Sequence, residues 1–248
     1  MFNRFLQTSV FVLLVVSLFS RCNGYSYQAS TSGDYTILDS TLVADDSKLE
    51  GIIAPYDDGL SAEMTRVINT SEVAMVKARP EGLLSNFVAD LILEEVNELD
   101  GFQADFCLLN HGGLRAALPK GNIKVETIYE LMPFDNEAVV LTLTGKKVLE
   151  IAEYLKIKGG EPVSQLTLDL NDLVSLKING STVDADATYK VVTSDYLANG
   201  GDKMVFFANP LQRESTSLKI RDLIIEHIEE EQAAGNTLNS ALDGRISE

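Results

Sequence analysis

The stretch Asn110-His111-Gly112-Gly113-Leu114-Arg115 follows a short apolar run, Ala104 to Leu109, and brings an amide, two glycines and a guanidinium to one strand end. Adjacent glycines let backbone N–H groups approach a bound group, and the planar fork of Arg115 suits phosphate or carboxylate. A plain glycine-rich turn carrying a solvated arginine fits the same six residues. Two later stretches widen the choice: Pro133-Phe134-Asp135-Asn136, and Tyr196-Leu197-Ala198-Asn199 running into Gly200-Gly201-Asp202. They offer two aromatic faces, an amide and a carboxylate, although Phe134 and Tyr196 equally suit a core and Asp202 equally suits an Asx turn.

The elements that must position these groups are legible from periodicity. Ala104 to Leu109 reads as a buried strand. Gly82 to Leu99 is the clearest helix, because Leu83, Leu84, Phe87, Val88, Leu91, Ile92, Val96 and Leu99 recur at helical spacing. Weak helical spacing covers Leu60 to Ile68, and Glu72 to Arg79 alternates as a strand. Pro119 to Asn122 is expected as a turn and Val125 to Met132 as a short helix. Glu137 to Thr144 alternates as a strand, and Gly145 opens a helix over Lys146 to Lys156. Strands are predicted at Leu166 to Leu170, at Val174 to Ile178 with Asn179-Gly180 as a hairpin turn, and at Tyr189 to Ser194. A last helix spans Ser217 to Glu231. Mixed strands and helices with hairpins and few βαβ units indicate a single α+β domain.

Composition narrows the function further. The chain has 248 residues and a formal charge of −17, which removal of residues 1–21 with Arg4 and Arg21 deepens to −19. Such a surface repels polyanions, so a nucleic-acid polymer is excluded as partner, while a small anion can still bind where Arg115 makes a local exception. Only two histidines are present, His111 and His227. There is no Walker loop, no metal-spaced His pair and no Ser/His/Asp arrangement, and His227 within Glu226 to Glu231 is expected on a solvated face.

The three motifs, in this order, resemble the C-terminal, substrate-binding domain of the bacterial and animal 5′-nucleotidases, periplasmic or cell-surface enzymes of nucleotide catabolism that hydrolyse nucleotides and related phosphate esters. The resemblance runs from about Arg79 to Asp243-Gly244-Arg245-Ile246 and implies a four-layer α/β/β/α domain over residues 43–248. It implies that Phe134 and Tyr196 sandwich the base, at roughly 1–3 kcal/mol per stacked ring. Asp202, closing the Gly200-Gly201-Asp202 turn, would accept from ribose hydroxyls, with Asn136 beside the first ring. Asn110, Arg115 and Arg79 would reach towards phosphate, and Arg79, Glu81 and Asn86 answer to the pattern that enters the family's first helix. Pro162-Val163-Ser164-Gln165 departs from the family's Ser-Gly loop near the base.

The family's metal chemistry resides in a separate metallophosphoesterase domain with several His, Asp and Asn ligands. No cofactor and no catalytic residue is therefore expected in this chain, and divalent metals are expected on a separately encoded partner subunit. The expected role is the nucleotide- or nucleoside-binding half of a split 5′-nucleotidase. Two other readings stay open: a binding lipoprotein without catalytic partner, and a scaffold that has lost binding.

Residues 1–21 carry Arg4 and an apolar run from Val10 to Phe19, the layout of an export signal, too short to span a bilayer comfortably. Cys22 stands where a lipidated N-terminal cysteine would follow cleavage, and residues 22–42 read as a tether, giving a periplasmic or cell-envelope protein anchored by lipid. Cys107 is expected to pack as a small hydrophobe, with no disulfide framework. If Cys22 is lipidated, the mature protein partitions with membranes and Cys22→Ser releases it; mass spectrometry of the N-terminus distinguishes this from ordinary cleavage, which leaves both forms soluble.

Overall fold

A computed structural model describes residues 59–248. The export segment, Cys22, the tether and the expected start of the domain at residue 43 lie outside the described residues. After a helical stretch at residues 59–65, strand β1 (Val67–Ser71) leads into helix α1 (Leu83–Glu98), then β2 (Phe106–Leu108), β3 (Gly121–Lys124) and α2 (Val125–Leu131). Next come β4 (Glu137–Thr144), α3 (Gly145–Lys158), β5 (Val163–Ser164), β6 (Leu166–Asp169), β7 (Asp172–Ile178), β8 (Ser181–Thr182) and β9 (Thr188–Ser194). The chain closes with α4 (Asp195–Ala198), β10 (Gln212–Lys219), α5 (Ile220–Ala233) and β11 (Ile246–Ser247).

The fold is α+β, built around a five-stranded sheet ordered β10-β4-β9-β2-β5. Successive side chains on a strand point to opposite faces, and here both faces are buried. Cys107, Val140 and Val192 face one core with Leu84, Val88, Leu91 and Ile92 of α1, Ile128 of α2 and Leu223, Ile224 and Ile228 of α5. Phe106, Leu108, Leu141 and Val191 face a second core with Val148, Ile151 and Leu155 of α3. Leu166, Leu168, Leu176 and Ile178 join that second core from a four-stranded sheet ordered β11-β6-β7-β8. Helix α3 packs against β4 and β9 of the five-stranded sheet and also against β7 of the four-stranded one. Each fully buried aliphatic side chain contributes about 1.5–3 kcal/mol.

Strand order explains how the three motifs meet. Strand β2 runs parallel to β9, with Phe106 opposite Val191, so the loops after their C-terminal ends, Asn110 to Arg115 and Tyr196 to Asp202, emerge side by side. Strand β4 is antiparallel to β9, with Ala138 opposite Ser194, so the segment entering β4 lies at that same end with Phe134 to Asn136.

Several boundaries differ from the sequence reading. Helix at Leu60 to Ile68 stops at residue 65, and the first strand is Val67–Ser71; of the stretch Glu72 to Arg79, only Met75 makes a bridge, to Leu118. Gly121 and Asn122, expected in a turn, begin β3, which pairs with β1. The last helix starts at Ile220 because Ser217, Leu218 and Lys219 end β10, an edge strand whose mostly polar, exposed or half-buried residues hide its pairing with β4 from any hydrophobic pattern. His227 is not on a solvated face: its Nδ1 lies 2.8 Å from Glu95 Oε1, and the pair joins α5 to α1 beside Phe87. Burial raises the Glu95 carboxyl above its ordinary value, against the opposing effect of His227.

Two glycines separate packing from conformation. A Cβ on Gly145 would sit 1.8 Å from the Asp184 carbonyl oxygen, backbone that has no rotamer to move into. Gly180 has open space, but its φ of 73° with Asn179 at 49° forms the two-residue turn between β7 and β8. Gly180→Ala should cost about 1–2 kcal/mol in urea unfolding, the left-handed penalty alone. Gly145→Ala should cost more, about 3 kcal/mol, as an overpacked site does.

Candidate ligand-binding site

At the shared strand ends the three loops form a cleft of about 360 Å³ lined by Asn110, Gly112, Gly113, Arg115, Phe134, Asn136, Tyr196 and Asp202. All six side chains expected from the motifs to touch ligand directly, Arg79 apart, line this one cleft. Phe134 is 41% exposed and Tyr196 46% exposed, so both rings present apolar faces to solvent, and they do not stack on each other or on another ring. Rings this exposed are not core aromatics, and they stand open in a concavity that also holds Asp202 and Arg115.

The polar floor is a short network. Asn110 Nδ2 donates to Asp202 Oδ2 at 2.5 Å, joining the loop after β2 to the turn after α4. Asp202 holds a left-handed backbone (φ 50°, ψ 22°), its N–H donates to the Tyr196 hydroxyl at 3.3 Å, and its carbonyl accepts from the Tyr154 hydroxyl at 3.2 Å. Burial, then the charges of Glu161 and Asp202, push the Tyr154 phenol well above its ordinary value, so it stays a donor. Ser194 caps α4 by accepting from the Leu197 N–H, which fixes the start of the segment carrying Tyr196.

The glycines serve the side chains around them. A Cβ on Gly112 would lie 2.9 Å from Asn110 Nδ2, and one on Gly113 would lie 3.0 Å from Asn110 Oδ1, so these residues leave room for the amide to fold back over its own loop. Both glycines also line the cleft, where sequence predicts backbone approach to a ligand. Gly200 turns the chain with a φ of 89°, and Gly201 lies beneath Tyr196, where a Cβ would meet the ring at 2.5 Å. Arg115 is anchored by its N–H donating to the Leu131 carbonyl at 2.8 Å, and it lines the cleft.

Arg79 stands apart from this group. Its guanidinium donates to the Gly160 carbonyl at 3.1 Å and to Glu161 at 3.2 Å, in a neighbouring hollow lined also by Lys77, His111, Lys158, Gly112 and Asp202. Glu161 is buried and also accepts the His111 N–H at 2.6 Å and pairs with His111 Nδ1 at 2.8 Å. Lys77 Nζ donates to the carbonyls of His111 and Leu114. Lys77, Lys158 and Glu161 escaped the sequence reading: the lysines belong to no motif, and the one signal for Glu161 was the Gly159-Gly160 pair before it. Glu81 accepts from Asn86 and from the N–H groups of Asp243 and Gly244, tying the C-terminal segment to α1. Pro162 to Gln165 forms and flanks the buried edge strand β5 and lines no part of the cleft.

The strand-end loops of this α+β domain thus bring aromatic, amide, carboxylate and cationic residues to one cleft, the kind of concavity in which small-molecule sites are built. A family model of the 5′-nucleotidase C-terminal domain matches residues 65–209, and the chain belongs to that family. It is 31% identical over 183 residues to the trifunctional nucleotide phosphoesterase protein YfkN of Bacillus subtilis, and 28% identical over 171 residues to the protein UshA of Escherichia coli. These alignments cover 66% and 64% of this chain but only 12% and 30% of those relatives. Among solved structures, a 5′-nucleotidase precursor from Thermus thermophilus superposes with a TM-score of 0.65 at 27% identity, covering 84% of this chain and 44% of that one. An NAD nucleotidase from Haemophilus influenzae shares the fold at a TM-score of 0.59 and 14% identity, covering 82% of this chain and 41% of its own.

Gly201→Ala should displace the Tyr196 ring and break its hydrogen bond from Asp202 while leaving both cores intact. A crystal structure of the variant should show a changed Tyr196 rotamer, and its thermal midpoint should stay within a few degrees of the unaltered protein, an effect of about 1 kcal/mol or less.

Proposed function

We propose that this chain is the nucleotide- or nucleoside-binding half of a 5′-nucleotidase, exported to the cell envelope and completed by a separately encoded metallophosphoesterase that carries the divalent metals. The observation that supports it best is the placing of two solvent-facing rings, Phe134 and Tyr196, in the same cleft as the Asn110-bonded carboxylate of Asp202. The rings stack on the two faces of a base. Asp202 Oδ1, left over from its bond to Asn110, accepts from ribose hydroxyls, and Asn136 meets polar atoms beside the first ring. Arg115, at the same cleft, takes the phosphate, and Arg79 stands beyond it in the adjoining hollow with Lys77 and Lys158.

This division of labour assigns positioning to the chain. It binds the base and sugar and presents the phosphorus to a water activated on the partner, and fixing that geometry is itself a large share of the barrier. His111 pairs with Glu161 and His227 with Glu95, and among the described residues no group of three or more His, Cys, Asp or Glu side chains is placed to hold a metal ion. The export segment at residues 1–21 and Cys22 support a lipid-anchored location.

Calorimetry on the isolated protein tests the reading. Adenosine and AMP should bind saturably but weakly, with a dissociation constant of about 1 mM. Phe134→Ala and Tyr196→Ala should each weaken both ligands by about tenfold, as loss of one stacked ring predicts. Arg115→Ala should weaken AMP by about tenfold and adenosine hardly at all, with Arg115→Lys recovering only part, since a point charge does not reproduce a bidentate contact. Turnover of AMP should require the partner even with Mg²⁺, Mn²⁺, Zn²⁺ or Co²⁺ added. Unchanged binding in both aromatic variants would show that the clamp is wrong.

A further inference from the structure

Resting on that reading, we propose that Arg221, outside the cleft at the start of α5, is the positioning residue that sets the Phe134 ring for stacking. Its side chain is buried, and its plane lies over the Tyr129 ring at 4.3 Å. Nη1 faces the carbonyls of Met132 and Phe134 at 3.4 Å each, and Nη2 donates to Asp135 Oδ1 at 2.5 Å. One guanidinium therefore grips the backbone on both sides of Pro133 and the side chain that follows Phe134. Its Nε has no hydrogen-bond partner, the Asp222 carboxylate lying 4.0 Å away, so the grip on this loop accounts for every hydrogen bond the group makes.

The neighbours of Arg221 act on the same loop. Lys219 Nζ donates to Asp135 Oδ2 at 3.1 Å, and the Ile220 N–H donates to the Asn136 carbonyl at 2.9 Å. Arg221 first and Lys219 second hold the Asp135 carboxyl below its ordinary value. Burying a guanidinium is costly unless its donors are satisfied in fixed geometry. Here the satisfied donors fix a segment whose own side chain, Phe134, is 41% exposed and stacks on no other ring among the described residues. The base-stacking face is thus oriented from behind, by a cation that the ligand never meets.

The chain contains no tryptophan, so Phe134→Trp supplies a single emitting reporter at the site. Arg221→Met should lower the anisotropy of that reporter and raise its acrylamide quenching by about twofold, and Arg221→Lys should restore part of both. In the otherwise unaltered protein Arg221→Met should raise the adenosine dissociation constant about fivefold, whereas in Phe134→Ala it should add nothing, because the two residues act through one contact. Asp135→Asn, at an exposed carboxylate, should shift reporter and affinity in the same direction by less, and it decides the question if Arg221→Met does not fold. Equal losses with and without Phe134, or an unmoved reporter, would overturn the role given to Arg221. Failure of the unaltered protein to bind adenosine would instead overturn the nucleotide reading, while the reporter still decides whether Arg221 orders the loop.

Discussion

The parallel pairing of β2 with β9 is the constraint on which the remainder of the molecule depends. Parallel neighbours deliver their following loops to one end of a sheet, and with β4 antiparallel on the far side of β9 a third loop arrives at the same end. The sheet can hold this arrangement only if both of its faces are covered, since β2 and β9 are apolar on each side. That requirement calls for α1, α2 and α5 on one face and for α3 with the second sheet on the other. The cleft is therefore a by-product of how the core closes, and its walls inherit the rigidity of the five-stranded sheet.

What holds the loops to one another is different in kind. The Asn110–Asp202 hydrogen bond crosses between segments 92 residues apart, and Glu161 gathers Arg79 and His111 from two others. These contacts are polar and local to the cleft and its adjoining hollow. Replacing one of them disturbs the cleft while the two hydrophobic cores remain, which is the usual separation between a scaffold and the site it carries.

The residues of the cleft were legible because each sits in a short motif whose chemistry is unusual for a turn: Phe134 behind a proline, Asp202 behind two glycines, Arg115 behind two more. The helices were legible from the spacing of Leu84, Val88, Leu91 and Ile92. What the sequence hid were partners brought in by tertiary contact. Glu95 and His227 look like members of two acidic helix faces until α1 and α5 pack together, and the exposed strand Gln212–Lys219 has no apolar alternation to report. Arg221 likewise reads as one more charge on an amphipathic helix, and only the fold shows it turned inward against Tyr129. Gly112 and Gly113 illustrate a related point: a glycine announces a close approach, not which group makes it, and here both line the cleft while leaving room for Asn110.

The placement of charge at the cleft gives the molecule two electrical regimes. At long range a phosphate ester meets a body of net charge −17 and is repelled. On the proposed reading it would meet Arg115, Lys77, Arg79 and Lys158 at close quarters within the cleft and its adjoining hollow, beside the carboxylates of Glu161 and Asp202. Screening acts on these unequally, because a Debye length of about 8 Å at physiological ionic strength removes the distant repulsion and leaves contacts at hydrogen-bond distance largely untouched. Added salt thus lowers the outer barrier more than it weakens the inner attraction, and capture of an anionic ligand by this acidic protein should quicken, not slow, as the surrounding medium becomes saltier.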